Sequence, residues 1–240
     1  IFEKLRDLQL DDDTVVMFTS DNGPHNEGGH NPKRFRPAGP LRGMKRDLYE
    51  GGIRVPAIIE WPNGVTKPRI TEYPSSTLDI FPTLVDIVGT EKSPLLQDGI
   101  SLKPLLSREL EERTQPIGVR HTGRTALIDN AFKLLRNPAG EPKNGRKKKA
   151  DGPVFELYNV AKDHAEQKNL IEEFPEVAAR MKKELAEWNA SVNRSVEGQD
   201  YPEGKVFPAD PGPRSWPEMD EYAKYLDAWR DRPEFRRYIK

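Results

Sequence analysis

Thr14-Val15-Val16-Met17-Phe18-Thr19-Ser20-Asp21-Asn22-Gly23-Pro24 is the stretch on which the fold turns. Its first six residues form a near-continuous apolar, β-prone run. Such a run predicts a strand buried on both faces, as in parallel sheets. Just upstream, Ile1, Phe2, Leu5 and Leu8 share one face of a helical pattern over residues 1–9, and Asp11-Asp12-Asp13 makes a polar turn. Helix, turn and buried strand make the second half of a βαβ crossover. Its first strand is not in the chain, and the chain opens on Ile1 rather than Met. Both features suggest part of a longer protein.

Downstream of Pro24 the pattern thins. Residues 20–52 are rich in Gly, Pro and Asn, and so long a loop in a compact domain is usually functional or disordered. Ile53–Trp61 is a second apolar run. Pro56 inside it cannot donate to a ladder, so this strand is expected at an edge or starting after the proline. Leu78, Phe81, Leu84, Val85 and Val88 fall at helical spacing, with Pro82 near the first turn and Gly89 as the stop. A short ordered loop and small helix are expected from Asp98 to Leu106. Beyond about residue 112, the runs 116–120, 125–128, 132–136 and 154–158 predict a small antiparallel sheet. Pro175 opens a helix carrying Val177, Met181, Leu185, Trp188 and Val192 along one face, and Glu172, Glu173 and Glu176 favour its positive end. The domains expected are therefore 1–112, the large α/β part; 113–194, a small α+β subdomain; and 195–240, a Pro-rich tail. Disordered tails are poor in aromatics. This one holds Tyr201, Phe207, Trp216, Tyr222, Tyr225, Trp229, Phe235 and Tyr238, and is expected to pack on the body.

Composition removes several function classes. There is no cysteine among 240 residues, so disulfides, Cys-ligated zinc, iron–sulfur clusters and thiol nucleophiles are excluded within the chain. Lys and Arg number 38 against 39 Asp and Glu, which leaves no global field to draw nucleic acid or an anionic membrane. No apolar run approaches the ~18 residues of a membrane span. The basic stretch Lys143–Lys149 reads as a solvated loop between two strands rather than a polyanion site.

Chemistry has two candidate locations. Ser20-Asp21-Asn22-Gly23 follows the buried strand, and ligands of open α/β sheets bind beyond the carboxyl ends of strands. Asp21 and Asn22 offer hard oxygens suited to Ca²⁺ or Mg²⁺, although the same residues also make an ordinary Asx turn. Ca²⁺ takes roughly six to eight oxygens, so further ligands must come from elsewhere. The second location is Leu41-Arg42-Gly43-Met44-Lys45 with Tyr49-Glu50-Gly51-Gly52-Ile53-Arg54-Val55-Pro56. Lys45 on its Gly-flanked loop is a point charge fit for an oxyanion, or simply a solvated lysine. Glu50 and Arg54 are read as a structural ion pair. His25 and His30 lie between the two locations, each a candidate substrate contact or simply a solvated loop histidine, beside the basic Lys33, Arg34 and Arg36.

Taken together in this order, these motifs closely resemble the second half of the type I sulfatases, the arylsulfatase-like enzymes of the alkaline phosphatase superfamily. Asp79-Ile80-Phe81-Pro82-Thr83-Leu84, Asp98-Gly99-Ile100-Ser101-Leu102 and Glu156-Leu157-Tyr158-Asn159 extend the resemblance, which runs to about Arg194. It implies the C-terminal part of an alkaline-phosphatase-like α/β sandwich with a mainly parallel sheet, plus the small antiparallel sheet and its packed helix. It implies that Asp21 and Asn22 are ligands to a divalent cation, usually Ca²⁺ with Mg²⁺ the alternative. It also implies that Lys45 contacts the sulfate as a catalytic and substrate-binding group. The nucleophile of the family is a formylglycine made within a Cys/Ser-x-Pro-x-Arg motif. That motif is absent here and is expected in a missing N-terminal half, together with the rest of the metal ligands. The expected function is sulfuric ester hydrolysis on an aryl or glycan sulfate, inactive without that half. The expected location is periplasmic, lysosomal or secreted. The alternatives are a phosphodiesterase or phosphonate monoester hydrolase of the same superfamily, and a non-catalytic remnant that binds anionic polysaccharide.

Overall fold

A computed structural model describes residues 1–27, 30–65, 67–90, 97–138, 154–200, 215–233, 235 and 238–239. The Lys143–Lys149 stretch lies outside them. The chain divides into two compact units, Ile1–Val192 and Asn193–Lys240.

The first unit begins with helix α1 (Phe2–Asp7) and strand β1 (Val16–Thr19). Two single-turn helices follow in the long loop, α2 (Pro32–Phe35) and α3 (Glu50–Ile53). Strand β2 (Ala57–Glu60) starts directly after Pro56, where the proline no longer interrupts a ladder. It pairs with β1 antiparallel, Phe18 opposite Ile58. Among the described residues β1 has no parallel neighbour, so the parallel sheet expected around it is not seen. Nor is β1 buried on both faces. Phe18 and Ile58 are 61% and 63% exposed, because nothing in the described chain covers that side of the pair.

A 3₁₀ turn (Thr77–Asp79) leads into helix α4 (Ile80–Val88), and Gly89 ends it at φ 76, a left-handed conformation that glycine adopts without strain. The helix forms where its spacing predicts, but Leu78, Phe81, Leu84 and Val88 are exposed while Thr83 is buried. Thr83 and Asp79 turn inward because they bond the next segment. Thr83 Oγ1 donates to the Asp79 carbonyl at 2.6 Å and accepts from Leu102 N–H at 2.8 Å, and Asp79 Oδ1 accepts from Ile100 N–H at 2.8 Å. Helix α5 (Lys103–Ser107) then buries Leu105 and Leu106.

Strands β3 (Ile117–His121), β4 (Arg124–Asp129), β5 (Phe132–Asn137) and β6 (Val154–Asn159) form one antiparallel sheet in sequence order. Its register sets two faces, since side chains alternate along each strand. Leu127, Leu134 and Leu157 align across β4, β5 and β6 and pack beneath helix α6 (Pro175–Val196) through Ala178, Met181 and Leu185. The opposite face presents Ala126, Leu135 and Tyr158 to Leu48, Tyr49 and Ile53 of the long loop. The small sheet is thus covered by a helix on one side and by the Arg42–Arg54 loop on the other.

In the second unit, helix α7 (Asp220–Trp229) and the 3₁₀ turn Trp216–Glu218 gather aromatic rings. Trp216 meets Tyr222, Trp229, Phe235 and Tyr238 at 5.5–6.1 Å between centroids. These rings supply a core for a segment poor in aliphatic residues.

Candidate active site

The turn after β1 is built from short local bonds. Ser20 Oγ donates to the Asn22 carbonyl at 3.0 Å, and Asn22 Nδ2 donates to the Gly23 carbonyl at 3.0 Å. With its amide nitrogen engaged there, Asn22 presents its Oδ1 as the atom available to a cation. Asp21 beside it is exposed. Two adjacent hard oxygen donors on one turn fit a divalent ion in part, two of the roughly six to eight that Ca²⁺ takes. Among the described residues no group of three or more His, Cys, Asp or Glu side chains comes together as a metal cluster.

The second motif folds directly onto this turn. Gly23 N–H donates to the Gly52 carbonyl at 2.8 Å, and Lys45 N–H donates to the Pro24 carbonyl at 2.9 Å. The approach is so close that only glycine fits. A Cβ on Gly23 would lie 2.0 Å from the Gly51 carbonyl oxygen, and one on Gly52 would lie 2.2 Å from the Asp47 carbonyl oxygen. Both obstacles are backbone. Gly52→Ala is therefore expected to cost about 1–3 kcal/mol, typical of overpacking. Thermal denaturation of the chain checks this, and an unchanged melting temperature would refute the close approach.

Beside these contacts lies an open pocket of about 750 Å³. Asp21, Asn22, His25, Lys45 and Arg54 all line it. The sequence-predicted residues Asp21, Asn22, Lys45 and His25 are thus brought to one place. His30 is not among the residues that line it. It is exposed and its ring stacks on Phe35 at 5.9 Å, because Pro32–Phe35 coils into α2 and turns that part of the loop aside. Arg34 and Arg36 are exposed on the same segment. His25 Nδ1 accepts from Glu27 N–H at 2.9 Å, and Arg46 pairs with Glu27 at 2.5 Å, which ties the His25 loop to the residue after Lys45. That arginine holds the Glu27 carboxyl below its usual range.

Sequence reasoning missed the support beneath the pocket. The Glu50–Arg54 pair is present at 2.9 Å, but Glu50 also meets Lys133 Nζ at 3.0 Å. Lys133, on β5, is fully buried and also lies 2.9 Å from Glu166, whose other oxygen accepts from Glu50 N–H at 2.6 Å. Burial raises the Glu166 carboxyl above its ordinary range, against the opposing pull of Lys133. Nearby, the Arg42 guanidinium sits 3.7 Å over the Tyr49 ring and donates to the Tyr158 hydroxyl at 3.1 Å. Both tyrosine hydroxyls donate to Glu156 Oε2, at 2.8 and 2.9 Å. Burial and the Glu156 carboxylate push Tyr158 up to about 12 and raise Tyr49 as well, so both stay protonated donors. The only local hint of Lys133 is its place in Phe132-Lys133-Leu134-Leu135, where it shares a face with Leu135.

Residues 1–90 match the family model described as Sulfatase. Over 217 residues the chain is 30% identical to an N-acetylgalactosamine-6-O-sulfatase of Bacteroides thetaiotaomicron, covering 80% of this chain and 39% of that protein. It is 40% identical over 100 residues to arylsulfatase A of Homo sapiens, covering 42% of this chain and 19% of that protein. The crystal structure of Ps i-CgsB in complex with k-i-k-neocarrahexaose superposes with a TM-score of 0.61 at 23% identity, over 99% of this chain and 46% of that one. The chain therefore spans less than half the length of these relatives.

Proposed function

Residues 1–90 belong to the sulfatase family, and from that premise we propose that the chain is the C-terminal part of a sulfuric ester hydrolase acting on a sulfated sugar. The observation that carries this is the pocket itself. One cavity gathers Asp21, Asn22, His25 and Lys45 from two segments locked together by backbone bonds. The sugar is preferred over a simple aryl ester because the relative that matches 80% of the chain is an N-acetylgalactosamine-6-O-sulfatase.

In this reading Asp21 Oδ and Asn22 Oδ1 hold one side of a divalent cation, Ca²⁺ or Mg²⁺. The ion would supply Lewis-acid polarisation of the sulfate oxygens. Lys45 places its ammonium against the same oxygens and offsets charge that grows as the ester bond breaks, the role of a preorganised cation at a developing oxyanion. Arg54, held at Glu50, adds a second positive group to the pocket wall. His25 lies at the wall, where a sugar hydroxyl would reach it.

The remaining cation ligands and the formylglycine nucleophile belong to the rest of such an enzyme. Two uncovered apolar surfaces agree with that division. One is the Phe18–Ile58 cross-strand pair, the other the Leu78, Phe81, Leu84 and Val88 stripe at α4. We assign both to contact with the remainder of the sulfatase chain, and infer that this part alone is inactive. Among the described residues no helix is long and apolar enough to cross a membrane. A periplasmic, lysosomal or secreted setting is proposed by family resemblance.

The test is turnover by the full-length protein on an aryl sulfate and the matching aryl phosphate. Faster sulfate turnover is expected. Faster phosphate turnover would overturn the sulfate assignment in favour of a phosphoester or phosphonate hydrolase.

A further inference from the structure

The buried polar residues between the small sheet and the long loop form a connected set with no place in sulfate chemistry. Lys133 is completely buried between Glu50 and Glu166. Glu156, also buried, receives both Tyr49 and Tyr158. An ion group of this kind is rarely the most stable filling for its space, since apolar residues of similar volume commonly do as well or better. What it provides instead is direction. Each hydrogen bond fixes an angle and a register, whereas apolar packing tolerates sliding.

The direction is always from sheet to pocket. Lys133 and Glu166 hold Glu50, the first residue of α3, by its side chain and its backbone N–H. Tyr158 and the Glu166 carbonyl receive Arg42, at 3.1 and 3.3 Å. Arg42 and Gly51 are joined by a backbone bond of 2.7 Å, so the two anchor points close a ring at the base of the loop. From that ring, Gly52 reaches Gly23 and Lys45 reaches Pro24. The chain of contacts is continuous from β5 and β6 to the turn that carries Asn22.

We propose that this face of the small sheet is a positioning platform for the pocket: Lys133, Glu156 and Tyr158 fix the Arg42–Arg54 loop, which in turn fixes Lys45 and the Asn22–Pro24 turn. Arg42 and Lys133 are positioning residues that touch no substrate. Their effect on catalysis rests on the sulfate reading above, whereas their effect on the loop does not.

Amide hydrogen exchange separates the two. In this chain, Arg42→Met removes a guanidinium that stacks on Tyr49, while Glu156 keeps both tyrosine hydroxyls as donors, so the fold is expected to survive. The Gly23 and Lys45 amides should exchange at least tenfold faster, with amides of β4 and β5 unchanged. Lys133→Met combined with Glu166→Gln removes the inner anchor and should produce the same pattern. Unchanged protection at Gly23 and Lys45 in both variants would overturn the proposal. So would a loss spread equally over β4 and β5, which marks general loosening. In the full-length protein, Arg42→Met should lower kcat at least tenfold with KM within twofold, and Arg42→Lys should recover only part of it. Wild-type turnover of a sulfate ester with no kcat loss in Arg42→Met would defeat the catalytic part of the inference alone. No wild-type turnover would defeat the sulfate reading and leave the exchange result standing.

Discussion

Replacing Arg113 by Met is expected to cost about 3–5 kcal/mol, the usual penalty for stranding one member of a buried ion pair. Arg113 and Asp79 are 4% and 0% exposed, and they bond in a fork: one guanidinium nitrogen to Asp79 Oδ2 at 2.7 Å, the other to Oδ1 at 2.8 Å. Asp79 also accepts from the Ser76 and Ile100 backbone N–H groups, each at 2.8 Å. Without the arginine those two are the hydrogen-bond donors left, among the described residues, around a desolvated carboxylate. The same carboxylate closes the capping box that starts the α4 segment, so its displacement would loosen the helix and the 98–102 loop together. For a chain of this size, roughly 2–4 °C in melting temperature accompanies each kcal/mol, so the variant should melt roughly 6–20 °C lower. Asp79→Asn in the same chain should recover part of the loss. A single-variant change below about 1 kcal/mol would mean that the fork contributes little.

Lys45→Ala in the full-length protein is expected to lower kcat by about 10²–10³, the range seen when one preorganised donor to a developing oxyanion is removed. Stability should hardly move, because the described contacts of Lys45 are through its backbone N–H rather than its side chain. Lys45→Arg should restore charge but not full rate, since a planar fork does not replace a compact ammonium at a single oxygen. Steady-state kinetics on an aryl sulfate, paired with thermal melts, checks both. An unchanged kcat would remove Lys45 from the chemistry.

The parts of the fold legible in the sequence are those governed by local rules. Short strand-like runs separated by turns gave away β3 to β6, and steps of three and four gave away α6. Pro56 and Gly89 marked where β2 starts and α4 stops. Burial was less legible. The Thr14–Thr19 run and the Phe81–Val88 stripe are apolar, yet Phe18, Phe81 and Val88 face outward. Hydrophobic pattern says which face seeks a partner, and it is silent on whether the same chain supplies one. At the site, Asp21, Asn22 and Lys45 stood out because the motifs around them resemble those of the sulfatases; taken alone, the turn reads as an ordinary Asx turn and Lys45 as a solvated lysine. His30 looked equivalent to His25 in sequence, but its ring stacks on Phe35 of α2 and it does not line the pocket. The pairing of Lys133, Glu156 and Glu166 was invisible for a different reason. Their partners are 83 to 116 residues away for the Lys133–Glu50, Tyr49–Glu156 and Glu50–Glu166 contacts, and no local spacing records such a meeting.

Calcium titration of this chain, wild type and Asp21→Ala, tests most directly whether the turn after β1 is one side of a cation site. Two oxygens of the roughly six to eight that Ca²⁺ prefers should give weak binding that Asp21→Ala abolishes. Tight binding by the wild-type chain, or weak binding that survives the loss of Asp21, would contradict it.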